Sequence, residues 1–260
     1  MGPYRKSRPT FWLRKVGRLI DTPRYDYYRG STSPQTVERK RQAAELSQEI
    51  LNPSLTNPQF LVLRERTRIL TQWIENLPNT GLQVLDVGGR LQPYRSLLGD
   101  RLECYIAIDP VFEGLLNVVA VGEHLPFPGE RFDLVMCTQV LNYIADPFQV
   151  IAEIHRVLKP GGALCLSVPV WRLMPKELIV LLAPFSFCQV VPEGYSVAGL
   201  CSVCNIFLDT FLFDPLVRWW RARKLISSVV FLVTNLAGLT LDIVCRNSRF
   251  TTSYSYLVFK

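Results

Sequence analysis

Asp86, Gly88 and Gly89 stand near the end of the run VLDVGGRLQPY (84–94), and Asp109 closes the run CYIAID (104–109), 23 residues after Asp86. Glycines that follow an apolar run let the backbone approach a bound molecule with no Cβ in the way. A carboxylate beside them can hold an amine or a hydroxyl. An acid that closes the next strand can accept hydrogen bonds from both hydroxyls of a ribose. Each feature alone is equally well a turn after a strand. Placed together at the ends of adjacent strands, they favour an adenosyl ligand. Arg90 stands where a glycine-rich turn would continue. It can either swing outward or meet an anionic group with its planar guanidinium.

These groups need a frame. QVLDV (83–87), CYIAID (104–109), NVVAV (117–121), FDLVMC (132–137) and ALCLSV (163–168) are short, continuous apolar runs. That is the pattern of strands buried on both faces. Helical stretches alternate with them. Leu63, Ile69, Leu70, Trp73, Ile74 and Leu77 share one face of a helix that PNTG terminates. Val150, Ile151, Ile154, Val157 and Leu158 form the inner stripe of another, which Lys159-Pro160-Gly161-Gly162 ends. Regular alternation of strand and helix predicts an α/β fold, a doubly wound and mostly parallel sheet flanked by helices. PKELIVLLAPF then reads as a helix and FCQVV (187–191) as a sixth strand.

VLDVGGRLQPY, YIAIDP, EHLPFPGERFDLVMCTQVLNYIADP and EIHRVLKPGGALCLSVP resemble successive motifs of class I S-adenosylmethionine-dependent methyltransferases, in the methyltransferase type 11 group. The match covers about Leu82 to Pro169. The later motifs separate it from NAD-dependent dehydrogenases, which share only the first two. The resemblance implies a seven-stranded Rossmann-like sheet whose last strand, TTSYSYLVF (251–259), pairs antiparallel. It also implies S-adenosylmethionine as cofactor. Asp86, Gly88 and Gly89 would then face its methionine portion and Asp109 its ribose. Gly122, Glu123 and His124 would border the adenine, and Thr138 would lie beneath the sulfonium. Tyr143 takes a place on the substrate side often held by histidine. His155 lies on the outer face of its helix, in a structural role. Two positions depart from the family pattern. Arg90 replaces a glycine, and Val121 replaces an aspartate that would receive the adenine amino group. Losing that hydrogen bond costs about 0.5–1.5 kcal/mol. Methyl transfer from a sulfonium needs chiefly alignment of the acceptor, with a base only for a poor nucleophile such as a hydroxyl. No strong base stands out, so Tyr143 is assigned to orienting the substrate.

The organisation that follows is a basic arm with linker helices (1–58), an S-adenosylmethionine-binding core (59–191), an apolar helical insertion or lid (192–250) and a last core strand (251–260). The expected activity is methylation of a small-molecule, glycan or lipid-linked acceptor. The competing reading is a non-catalytic binding or scaffold protein of the same fold, motivated by Arg90 and Val121.

Charge and composition narrow the partners. Residues 1–41 carry eleven Lys and Arg against three acids, so the net charge of +7 belongs to an arm and the remainder sums to about minus one. A near-neutral core that carries TQVLNY in place of an Asn/Asp-Pro-Pro-aromatic motif argues against a nucleic-acid substrate. Seven scattered cysteines read as reduced, core-filling thiols of a cytoplasmic protein. Cys201 and Cys204 have no second pair to complete a metal site, so no metal is expected. Arg14, Lys15 and Arg18 interrupt the early apolar run and argue against a secretory signal. Phe11 to Ile20 has the period of a basic amphipathic helix, suited either to an anionic membrane surface or to the chain's own core. Leu225 to Leu241 is a 17-residue run without charge that follows the aromatic and basic RWWRARK. Its length and its hydroxyl and amide residues favour a buried helix over the substrate pocket. Peripheral contact with a membrane is the alternative.

Overall fold

The structure is a computed structural model and describes residues 34–77, 81–111, 115–170, 175–213, 220–245 and 251–260. The Phe11–Ile20 segment and Trp219 lie outside the described residues. Two helices, α1 (Pro34–Leu51) and α2 (Phe60–Glu75), precede β1 (Leu82–Val87) and β2 (Leu102–Asp109). Then come β3 (Val118–Val119), β4 (Phe132–Thr138), α3 (Pro147–Val157) and β5 (Leu158–Pro169). The chain continues through α4 (Pro175–Leu181), β6 (Phe187–Pro192), α5 (Ser196–Phe207) and α6 (Trp220–Val244) to β7 (Ser253–Phe259). The seven strands form one sheet in the order β3-β2-β1-β4-β5-β7-β6. Only the pairings of β7 are antiparallel. The order reverses between β1 and β4, which places the ligand-binding crevice of such sheets at their carboxyl ends.

The central strands β1, β4 and β5 bury both faces, with alternate side chains pointing to opposite sides. Leu85, Val87, Val135 and Leu164 pack against α3 and α4. Val84, Leu134, Met136 and Cys165 pack against Ile69, Leu70 and Trp73 of α2. Helix α3 starts where Asp146 accepts the Gln149 amide at 3.1 Å and Pro147 occupies the first turn. His155 stacks edge-on against Phe185 with ring centroids 5.2 Å apart. Burial and the charge of Lys260 lower its pKa.

Some expectations shift. The third strand is two residues, not five, because the Asn117 side chain takes the Ala107 amide at 2.9 Å just before it. Helix α3 ends at Val157, and Lys159-Pro160-Gly161-Gly162 belongs to β5, where Gly161 has a φ of 77° and pairs with the backbone of Lys260. Of the thiols expected in the core, Cys137 and Cys165 are buried, whereas Cys204 and Cys245 are exposed.

The largest correction concerns the insertion. Helices α5 and α6 pack on each other and on α2. Yet α6, expected to be buried, leaves Leu225, Val229, Val233 and Ile243 exposed. Strand β6 ends at Pro192 opposite Tyr254, and β7 begins at Ser253 opposite Pro169. The insertion therefore leaves and re-enters the sheet at the carboxyl end of β5, the end that carries Asp86 and Asp109.

Candidate cofactor and acceptor site

The side-chain alternation that builds the core also builds the site. On the α2 face of β1 and β4, apolar Val84, Leu134 and Met136 give way toward the carboxyl ends to Asp86 and Thr138. The same face of β5 and β7 ends in Ser167 and Ser255.

At the β1–β2 corner the amides of Gly88 and Gly89 both donate to the Ile108 carbonyl, at 2.8 and 3.1 Å. Gly88 has a φ of 76°, and a Cβ there would sit 2.3 Å from Val140 Cγ2. A Cβ on Gly89 would sit 2.4 Å from Asp86 Cγ. The glycines are thus required by the chain's own atoms as well as by any ligand above them. The Asp86 carboxylate is buried and accepts the Tyr105 hydroxyl at 2.6 Å. Burial pushes its pKa up to about 7, with the Tyr105 hydrogen bond opposing and the charge of Asp109 adding. Asp109 is half-buried and accepts the Val111 amide at 2.8 Å, which turns the chain out of the strand. The Arg90 carbonyl accepts the Leu115 amide at 2.8 Å and fastens the two loops together.

Gly122 is buried, and a Cβ there would press on Val150 and Val87 at 3.2 to 3.4 Å. Glu123 is half-buried, with its carbonyl accepting Gln149 Nε2 at 3.3 Å, and His124 is exposed. Glu153 accepts the Leu125 amide at 2.8 Å, and Arg156 donates to the carbonyls of Leu125 and Phe127 at 3.0 and 2.8 Å. This clamp is the physical content of the paired LPFP and EIHRVL motifs. Asp109, Asp86 with its glycines, and Thr138 thus lie on the three adjacent strands β2, β1 and β4. Tyr143 follows β4 on a single turn (Leu141–Tyr143) and is 76% exposed.

A buried polar network that the sequence reading missed lies at the same end of the sheet. Glu193, fully buried just after β6, accepts Ser167 Oγ at 2.5 Å and Ser255 Oγ at 2.6 Å. Its other oxygen accepts Arg66 Nε and Nη2, at 2.9 and 2.7 Å. Burial alone would lower the Arg66 pKa, but Glu193 and then Tyr94 outweigh it and hold the guanidinium charged. Gln139, at a φ of 60°, donates from Nε2 to Ser167 Oγ at 2.8 Å and from its backbone to the Ser167 carbonyl at 2.8 Å. A signal for Arg66 existed: it falls between Leu63 and Leu70 on the buried stripe of α2. Glu193 gave none, since its partners come from three distant segments, α2, β5 and β7. Asn142 is also buried, and its Oδ1 has no hydrogen-bond partner among the described residues. Two surface concavities, of about 370 and 450 Å³, contain none of Asp86, Asp109 and Thr138.

Comparison with known proteins identifies the core. Residues 85–166 match a family model described as a methyltransferase domain. An uncharacterized methyltransferase of Mycobacterium tuberculosis is 32% identical over 36% of this chain and 42% of its own length. A ubiquinone biosynthesis O-methyltransferase of Pseudomonas putida is 28% identical over 52% of this chain and 65% of its own. The chain thus spans less than two thirds of either relative. Among solved structures, an S-adenosylmethionine-dependent methyltransferase from Archaeoglobus fulgidus aligns with 83% of this chain and 99% of its own, at 14% identity and a TM-score of 0.48. The segment that matches a methyltransferase domain runs from inside β1 to inside β5.

Proposed function

We propose that the chain transfers a methyl group from S-adenosylmethionine to a small-molecule, glycan or lipid-linked acceptor. The observation that carries this reading is the row of groups at the ends of β2, β1 and β4, within a methyltransferase domain. The residues present fit the cofactor. Asp109 offers acceptors for ribose hydroxyls, Asp86 a carboxylate for the methionine amine, and Gly88 and Gly89 a backbone without side chains. Asn142 adds a buried amide oxygen without a hydrogen-bond partner among the described residues, and groups of that kind call for a water, an ion or a ligand. When bound, S-adenosylmethionine supplies a methyl group already activated on a sulfonium. The chain's own part is to hold and align, and to keep water from the reacting atoms. Thr138 and Gln139 border the acceptor side, and the Arg66–Glu193 pair keeps the ends of β5, β6 and β7 at a constant spacing.

Calorimetry of the full chain with S-adenosylmethionine and S-adenosylhomocysteine tests this directly. Both bind below millimolar concentration, and Asp109→Ala weakens them by about 100-fold, roughly the 3 kcal/mol at the upper end for a charged hydrogen bond. Asp109→Asn, which can keep the Val111 turn, separates lost charge from a loosened loop. A folded chain that ignores millimolar cofactor is a binding or scaffold protein, with Arg90 and Val121 the first residues to revert.

A further inference from the structure

Helix α6 is amphipathic in the reverse sense for a surface helix. Asn235, Thr234 and Asp242 face the protein. Asn235 is fully buried, and its Nδ2 donates to the carbonyls of Leu55 and Asn57 at 2.8 and 2.9 Å, while its Oδ1 accepts Asn205 Nδ2 of α5 at 3.0 Å. Thr234 donates to Asn205 Oδ1 at 2.6 Å. Asp242 accepts the amides of Tyr195 and Ala198 at the start of α5, at 2.9 and 3.0 Å. The opposite face carries Leu225, Val229 and Val233, exposed by 52% to 68%, and continues on α5 with Leu200, Val203 and Phe207, exposed by 41% to 56%. Hydroxyls outside the inner network need nothing from a partner: Thr240 Oγ1 donates to the Leu236 carbonyl at 3.0 Å and Ser227 Oγ to the Lys224 carbonyl at 3.2 Å. A continuous apolar face of this extent is unusual on a monomer in water and marks a contact surface.

We propose that this face of α5 and α6 docks flat on an anionic phospholipid bilayer. Charge complementarity selects that occupant. In the sequence the segment that carries the apolar stripe is preceded by Arg218, Arg221, Arg223 and Lys224, with Trp219 and Trp220 among them, and residues 1–41 add a cationic excess of eight. Basic residues and tryptophan flanking an apolar helix face suit the headgroup layer. Lys224–Val244 is long and apolar enough to cross a bilayer, but its inner side is tied to the domain by Asn235, Thr234 and Asp242. It therefore lies in the plane of the interface. The insertion joins the sheet at the end that holds Asp86 and Asp109, so docking brings that end to the membrane. The docking proposal stands whether or not the core transfers methyl groups.

Co-sedimentation of the full chain with vesicles of phosphatidylcholine and phosphatidylglycerol, at low and high salt, decides it. The chain pellets with anionic vesicles at low salt, and high salt weakens binding several-fold. Val229→Glu and Val233→Glu each reduce binding at least tenfold, and Val233→Asn, which adds no charge, also reduces it. Because both positions are exposed, the melting temperature stays within a degree or two of the parent. A chain that stays in the supernatant at low salt, or variants that bind like the parent, overturns the proposal. So does a concentration-dependent dimer in gel filtration that Val233→Glu dissociates, since a second copy would then cover the face.

Discussion

The sheet core and the insertion solve opposite problems with the same residue types. In the core, apolar side chains face inward from both surfaces of the sheet, and a few polar groups are gathered at one end. In the insertion, Thr234, Asn235 and Asp242 face the protein, and Leu225, Val229 and Val233 face out. Helix periodicity is present in both. What differs is the medium that each apolar stripe meets, and periodicity does not name it. The polar seam under α6 still stabilises the docking of the insertion, because the Asn205–Asn235 hydrogen bond at its centre is buried.

The contrast can be broken most strongly at Glu193. Its side chain has no exposure and its partner Arg66 only 8%, so Glu193→Ala leaves a buried cation unpaired. That costs about 3–5 kcal/mol, read by urea or thermal unfolding. The double variant Arg66→Met with Glu193→Leu recovers most of the loss. If Glu193→Ala unfolds like the parent, the network is not what joins α2 to β5 and β7.

Next in size is a matched pair of truncations. Leu134→Ala, with no exposure in β4, costs about 2–5 kcal/mol. Leu225→Ala, 68% exposed in α6, changes stability in aqueous buffer by no more than about 0.5 kcal/mol. A large loss at Leu225 would mean that its face is covered within the protein, and the two regions would no longer differ in kind.

A pH dependence confined to the core completes the comparison. Asp86 is held above the ordinary carboxylate range, at about 7. The folded chain therefore keeps a proton that the unfolded chain has released above about pH 4. The stability this contributes is full below that point and is lost as pH rises through about 7. Pairing with a cationic amine needs the ionised form, so cofactor affinity moves the other way. It rises about tenfold per pH unit below the Asp86 pKa and levels above it. Asp86→Asn flattens both curves, which calorimetry and thermal unfolding across that range would show. A parent chain whose affinity is flat in pH would place the amine elsewhere.

Much of the core was legible because its signals are local. Five apolar runs and two helix stripes predicted the alternation, and four of those runs became strands within a few residues of their expected ends. The third did not, because a side-chain hydrogen bond from Asn117 replaced part of the ladder. The strand-end positions of Asp86, Gly88, Gly89 and Asp109 were readable as well, since a strand end followed by glycine or acid is a pattern along the chain, whereas Thr138 was placed by resemblance alone. The clamp of Glu153 and Arg156 on Leu125 and Phe127 was visible only as a motif, with no reason attached.

The sequence by itself determined the α/β alternation, the place of the strand ends and the basic, apolar character of the appendages. Those properties follow from periodicity, turn chemistry and charge, which act over a few neighbouring residues. Only the tertiary structure decided that Arg66 meets Glu193 across 127 positions, and that Asn235 turns toward Leu55 and leaves the apolar stripe of α6 outside. A buried polar group takes whichever partner the fold brings within hydrogen-bond distance, and that partner can come from anywhere in the chain.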